Sequence, residues 1–166
     1  MNISKQNKKG FTIVEVVLVL AIAGLIFMMV FVAVPAVYRT QRDGQRKADL
    51  SRLTNSLSSY QSNNRGSLPS SSALPSESNS WTSFIKRYVR VAGDSFVDPS
   101  GTDYELKNTS GNGIPDTITD FNHDKPYIYV TVGATCNGEK LTMDQGSRKV
   151  AFQMKLEGNG TACSSN

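Results

Sequence analysis

Four places in the sequence carry residues whose type and spacing could do chemistry. Glu15 is the fifth residue of a run, Phe11 to Val37, that is otherwise almost continuously apolar, with Thr12 the other clearly polar side chain. An unpaired carboxylate in hydrocarbon costs roughly a few kcal/mol on insertion scales, so Glu15 is expected to have a partner. Gly10 stands between a basic stretch, Lys8-Lys9, and that run. Asp120, Asn122 and Asp124 alternate, with Asp116 close by. Oxygen donors at this spacing suit calcium, which takes about 6–8 of them. The stretch lacks the glycine and distal glutamate of an EF-hand, and Asp and Asn are also ordinary turn residues. Cys136 and Cys163 are too few for a four-cysteine zinc site and form no C-x-x-C. In an exported chain they read as a disulfide closing a loop of about 28 residues, worth roughly 3–4 kcal/mol by chain entropy. The alternative is two buried free thiols.

Enzymatic chemistry finds little to stand on. His123 is the single histidine, and nothing around it looks like a nucleophile elbow. No Walker motif and no dinucleotide fingerprint occurs. The sequence reads as a non-enzyme with calcium as the one candidate cofactor. The formal net charge of +4 over 166 residues is concentrated in Lys5, Lys8 and Lys9. Without residues 1–10 it falls to 4 − 3 = +1, so no nucleic-acid site is evident.

The elements that hold these residues follow from periodicity. Phe11 to Val37 is long enough to span a bilayer as a helix, which takes about 20 residues. Three lysines precede it, so the positive-inside rule places the N-terminus in the cytoplasm and the chain after Val37 outside. A secretory signal has its cleavage site after the apolar region. Here the small residue beside the basic stretch, Gly10, comes before it, and cleavage there would leave the anchor on the product.

The stretch Lys8-Lys9-Gly10-Phe11-Thr12-Ile13-Val14-Glu15 resembles the class III leader junction of type IV pilins and pseudopilins. The resemblance implies that a prepilin peptidase cuts between Gly10 and Phe11 and N-methylates Phe11, leaving 166 − 10 = 156 residues. It also implies that Glu15 pairs with the Phe11 amine of a neighbouring subunit. Gly24 falls where the family often has a helix glycine. The usual helix proline would fall at Val32, whereas here it is Pro35, so Gly24 and Pro35 are the candidate points for local loss of helix.

The implied fold is α+β, a pilin fold. A long N-terminal α-helix, with a membrane half and a head-packed half, joins a small antiparallel β-sheet head. The implied segments are a cleaved leader (1–10), a transmembrane and assembly helix (11–37) and a periplasmic or extracellular head (38–166) that includes the second half of the helix. The implied partners are further copies of the chain in a helical homopolymer, the prepilin peptidase, an assembly platform with its ATPase, and the membrane before assembly. The precursor would cross the inner, cytoplasmic membrane once and end in a cell-surface filament. The leading expectation is a major type IV pilin for adhesion, motility or DNA uptake. The alternatives are a pseudopilin of a type II secretion system or a minor pilin, and an anchored binding domain that does not polymerise.

Within the head, Leu50, Leu53, Leu57 and Tyr60 recur at helical spacing and predict one helix from about residue 11 to 63. The mixed charges Arg39, Arg42, Asp43, Arg46, Lys47, Asp49 and Arg52 read as a solvated face, some of it available to cross-link subunits. Residues 66–80 read as an exposed Ser/Pro loop. Trp81, Phe84, Ile85, Tyr88 and Val89 predict a short amphipathic helix with a core-facing aromatic stripe, N-capped by Ser80. "DPSGTDYEL" (98–106) predicts a turn into a strand and loosely resembles the Asp-Pro-x-Gly-x-x-Tyr stretch of major pseudopilins. "YIYVTV" (127–132) and "KVAFQMKL" (149–156) predict the central strands, with 104–106 and 140–143 beside them.

Overall fold

The computed structural model describes residues 10–69, 80–90, 95–109, 126–144, 146, 148–158 and 160–166. The chain divides into two units, one ending at Tyr38 and one formed by Arg39–Asn166. Helix α1, Ile13–Asn63, contributes to both.

In the first unit α1 is apolar all round. Phe11 is 91 % exposed and Phe31 78 %, and the other large apolar side chains here are exposed as well. Among the described residues α1 is the one helix long and apolar enough to cross a membrane. It continues as helix through Gly24 and Pro35.

In the second unit α1 is amphipathic. Leu50, Leu53, Leu57 and Tyr60 are buried and form the helix side of the core. The helix ends at Asn63 because Arg65 adopts a left-handed conformation, φ 55°. The Gly66 N–H then bonds back to the Gln61 carbonyl at 2.7 Å, satisfying an otherwise orphaned acceptor.

Facing this stripe is a four-stranded sheet ordered β1-β2-β5-β6, from strands β1 (Glu105–Asn108), β2 (Tyr127–Val132), β5 (Val150–Lys155) and β6 (Thr161–Ser165). Ile128 and Val130 of β2 and Val150, Phe152 and Met154 of β5 meet the leucines. Strands β3 (Ala134–Asn137) and β4 (Lys140–Met143) form a separate hairpin. That hairpin covers the other face of β5, where the Gln153 amide donates to the Glu139 carbonyl at 2.8 Å and Ala151 is buried. Strand β5 is therefore enclosed on both faces. The Cys136–Cys163 disulfide joins β3 to β6, with Cα atoms 5.8 Å apart.

The α+β architecture agrees with the expectation, with three refinements. The sheet is mixed, because β1 runs parallel to β2 with Glu105 opposite Tyr127. The chain between them, 109–126, is long enough for the crossover that parallel pairing needs. Residues 140–143 pair with β3 and not with the main sheet. The C-terminal segment, for which the sequence predicts no strand, is the strand β6. Its short polar sequence, Thr161-Ala162-Cys163-Ser164-Ser165, carries little strand signal, and antiparallel pairing with β5 supplies the order.

The second helix is α2, Trp81–Phe84, followed by a π-helical turn at Ile85–Val89. Ser80 caps it, its hydroxyl accepting the Ser83 N–H at 3.3 Å. Trp81 and Phe84 are buried, and Tyr60 meets both Phe84 and Tyr88 edge-on at 5.6 and 5.2 Å. The aromatic stripe is core, as its spacing predicts.

The disulfide ties the covering hairpin to an edge strand, so reducing it should lower head stability by about 3–4 kcal/mol. Urea unfolding with and without reductant measures this. Coincident midpoints would show that the hairpin holds its place without the bond.

Candidate functional site

Two groups of side chains stand out, one in each unit. In the first, Thr12 and Glu15 close a capping box at the start of α1. The Thr12 N–H and hydroxyl both donate to Glu15 Oε2 at 2.9 Å, and the Glu15 N–H donates to the Thr12 hydroxyl at 3.4 Å. A helix start leaves backbone donors without partners, and T-x-x-E supplies acceptors for them. In a single chain, then, the Glu15 carboxylate is already held by its own helix. That signal was readable in Thr12-Ile13-Val14-Glu15, but the apolar setting draws attention to the charge and away from the cap. Phe11 and Gly10 are exposed next to it. A Cβ added at Gly24 would meet nothing within 4 Å, so the isolated chain does not require glycine there.

In the second unit the charged face of α1 is largely turned toward the head, which corrects the solvated-face expectation. Arg46 is 4 % exposed and Asp98 2 %. Arg46 Nε donates to Asp98 Oδ2 at 2.6 Å and its second nitrogen to Asp98 Oδ1 at 3.0 Å, a bidentate pair. The same guanidinium reaches Glu157 at 3.0 Å, and Arg42 donates to Glu157 at 2.6 Å. The Asp43 carboxylate accepts the N–H groups of Glu157 and Gly158 at 2.9 and 3.0 Å. The Tyr104 hydroxyl donates to Asp49 at 2.8 Å. Arg52 donates to the Val89 carbonyl. Arg39 and Lys47 remain exposed, as expected of them.

The missed signal is positional. Arg46 continues the buried stripe of Leu50, Leu53, Leu57 and Tyr60 by one turn, so its place on the helix is a core place. Asp98 is presented by the turn Asp98-Pro99-Ser100-Gly101. The Gly101 N–H donates to the Asp98 carbonyl at 2.7 Å, and Gly101 takes φ 87°, which suits glycine. The Ser100 N–H also donates to Asp98 Oδ1 at 3.0 Å.

Electrostatics agrees with this geometry. Burial pushes the Asp98 carboxyl up, but the bonds from Arg46 and Ser100 outweigh it and hold it below the usual range. The bond from Arg42 lowers Glu157, burial opposes, and the nearby Arg46 charge adds to the lowering. Burial disfavours the Arg46 cation, yet its acidic partners raise its pKa on balance. Burial, then the bond to Asp49, pushes the Tyr104 hydroxyl up, so it stays a neutral donor.

Asp116, Asp120, Asn122, His123 and Asp124 lie outside the described residues. Cys136 and Cys163 are brought together as the expected disulfide.

A long apolar N-terminal helix leading into a small sheet head, behind a basic leader ending in glycine, is the build of a type IV pilin-like prepilin. Residues 5–31 match the family model of the prokaryotic N-terminal methylation motif. No curated protein and no solved structure matches the chain. The motif implies processing by a prepilin peptidase in the setting of pilus assembly, and it belongs to structural subunits, not to enzymes.

Asp98 and Glu157 both titrate lower in the folded head than in the unfolded chain. Their contribution to stability is complete above the unfolded carboxylate range, near about pH 4, and is lost as pH falls through the folded values. Thermal unfolding followed from pH 6 downward should show this loss, and Asp98→Asn should flatten the curve. At neutral pH, Arg46→Met leaves Asp98 buried and unpaired, and chemical denaturation should show a loss of about 3–5 kcal/mol.

Proposed function

We propose that the chain is the major subunit of a type IV pilus, a surface filament for adhesion, motility or DNA uptake. The observation that carries this reading is the first unit: a helix apolar all round, fully exposed, with one carboxylate near its start. Such a surface needs cover from lipid or from other helices. In this reading the peptidase cuts between Gly10 and Phe11 and methylates the new Phe11 amine. The membrane holds residues 11–37 until an assembly platform and its ATPase draw the subunit out. Glu15, released from Thr12, then pairs with the Phe11 amine of a neighbouring copy, which offsets the burial of both charges. Copies join head-to-tail through a heterologous contact, which gives an open helix and not a closed ring. The disulfide-stapled head faces outward and the chain is a substrate of enzymes, not itself one.

A second reading, a pseudopilin of a type II secretion system, is favoured by the Asp98-Pro99-Ser100-Gly101 turn followed by Tyr104. A minor pilin shares the same chemistry. A membrane-anchored binding domain that never polymerises needs neither cleavage nor Glu15. Calcium at Asp120, Asn122 and Asp124 remains part of the proposal for the head, testable by the calcium dependence of its unfolding temperature.

Mass spectrometry of the N-terminal peptide from sheared surface material and from membranes tests the reading. A methylated peptide beginning at Phe11, abundant in the sheared fraction, is the expected result. The same peptide confined to membranes favours a pseudopilin or minor pilin. An uncut Gly10–Phe11 bond in both fractions overturns the family chemistry. In cells, Glu15→Ala should leave the subunit in the membrane and abolish filaments, and an anchored binding domain would be indifferent to it.

A further inference from the structure

The main sheet ends in β1 on one side and β6 on the other, and no described strand pairs beyond either. On the β6 side, the Leu156 N–H donates to the Gly160 carbonyl at 2.9 Å and the Asn166 N–H to the Val150 carbonyl at 3.3 Å. Alternation between these two pairs turns the N–H and C=O groups of Thr161 and Cys163 away from β5. They open into a cleft of about 240 Å³. Lys47 and Ser51 of α1 stand on one side of it, the hairpin turn Gly138-Glu139 on the other, and residues 161–164 form its floor. The strand Thr161-Ala162-Cys163-Ser164-Ser165 carries no proline and no charge, the usual guards of an exposed sheet edge.

At the opposite edge, the Glu105 and Thr109 N–H groups donate to the Pro126 and Val130 carbonyls, which turns the backbone groups of Leu106 and Asn108 outward. The two edges run in the same direction, because β1 is parallel to β2 and two antiparallel steps, β2 to β5 and β5 to β6, restore that direction. Two copies in one orientation can therefore set β1 of one against β6 of the other as a parallel pair, a contact that repeats without closing. The side chains beside these edges are complementary. Leu106 packs toward the core, so Lys107 lies on the face away from α1, over the Tyr127 ring at 3.5 Å. Glu139 belongs to the hairpin on that same face, and its carboxylate stands at the start of β6, 3.4 Å from where a Cβ on Gly160 would be. We propose that the head of one copy adds its β1 to the β6 edge of the next, with Lys107 opposite Thr161 and beside Glu139. In that register the Thr161 N–H donates to the Leu106 carbonyl, the Asn108 N–H to the Thr161 carbonyl and the Cys163 N–H to the Asn108 carbonyl. Main-chain bonds supply the affinity and the charge pair sets the register. The pairing supplies the head contact of the filament reading and rests on it. So short a strand pair is weak alone, and the high effective concentration among copies in one assembly sustains it.

Photo-cross-linking of the full chain in cells tests it, with a photoreactive phenylalanine analogue in place of Ser51 in the cleft wall. The expected product is a dimer whose second copy is joined through residues 105–109. Glu139→Lys and Lys107→Glu should each lower its yield about tenfold, and the two together should restore it to within about twofold. Lys107→Glu also loses the contact with the Tyr127 ring, whereas Glu139→Lys changes an exposed turn and leaves the core alone. A cross-link to residues 161–165 of the second copy, to another protein or to nothing overturns the pairing. So does a double variant no better than the single ones. The product is read in sheared material and in membranes. Sheared filaments without it refute the pairing and leave the filament reading standing. The product in membranes of cells that shed no filaments does the reverse.

Discussion

One helix has to satisfy two different surroundings, and the rest of the structure follows from that constraint. Up to Tyr38 the surface of α1 is apolar all round and nothing in its own unit covers it. From Arg39 on it narrows to a single buried stripe. A stripe can be covered by one sheet, and the strands β2 and β5 present the apolar face that does so. Covering that face leaves the reverse side of β5 open, and the β3–β4 hairpin closes it. The disulfide then fastens the hairpin to the sheet edge. Each layer is present because the one before it left apolar surface exposed.

Charges near apolar surface are handled in two ways. Glu15 sits where a helix start offers unpaired backbone N–H groups, and Thr12 completes the arrangement. Its partner is local, three residues away on the same helix start. Arg46 is enclosed, and besides Asp43 on its own helix its partners come from two turns distant in sequence. A buried pair of this kind is weak evidence for net stability, since desolvation offsets much of the attraction. Its value lies in geometry: a bidentate pair is satisfied at one position along the helix axis and not a turn away. The first charge is satisfied within one turn of its own helix, and the second holds one alignment between the helix and the head.

Much of this was legible in the residues. The leucine spacing identified the buried face of α1, Ser80 announced a helix start, and the aromatic spacing after it marked core. The alternation within 127–132 and 149–156 marked the central strands, and the two cysteines of the last third of the chain paired. The charged face of α1 was misread because charge composition resembles a solvated surface whatever lies opposite it. Arg46 occupies a core position on the helix, but a guanidinium becomes a core residue when a carboxylate such as Asp98 is delivered to it from elsewhere. The strand β6 was illegible for a similar reason. Its residues have small side chains and weak strand preference, and β5 supplies the pairing that makes them a strand.

By itself the sequence determined what depends on near neighbours along the chain: the helix and its apolar run, the leader junction, the Thr12–Glu15 cap, the turn at Asp98–Gly101 and the alternating strands. Those features arise from side-chain periodicity, capping and backbone conformation, all of which act over a few residues. Only the tertiary structure decided which strands pair in parallel, that a hairpin lies over the far side of the sheet, and that Arg42, Asp43, Arg46 and Asp49 face the head. Those outcomes depend on groups far apart in the chain meeting at hydrogen-bonding distance, and local sequence carries no record of that distance.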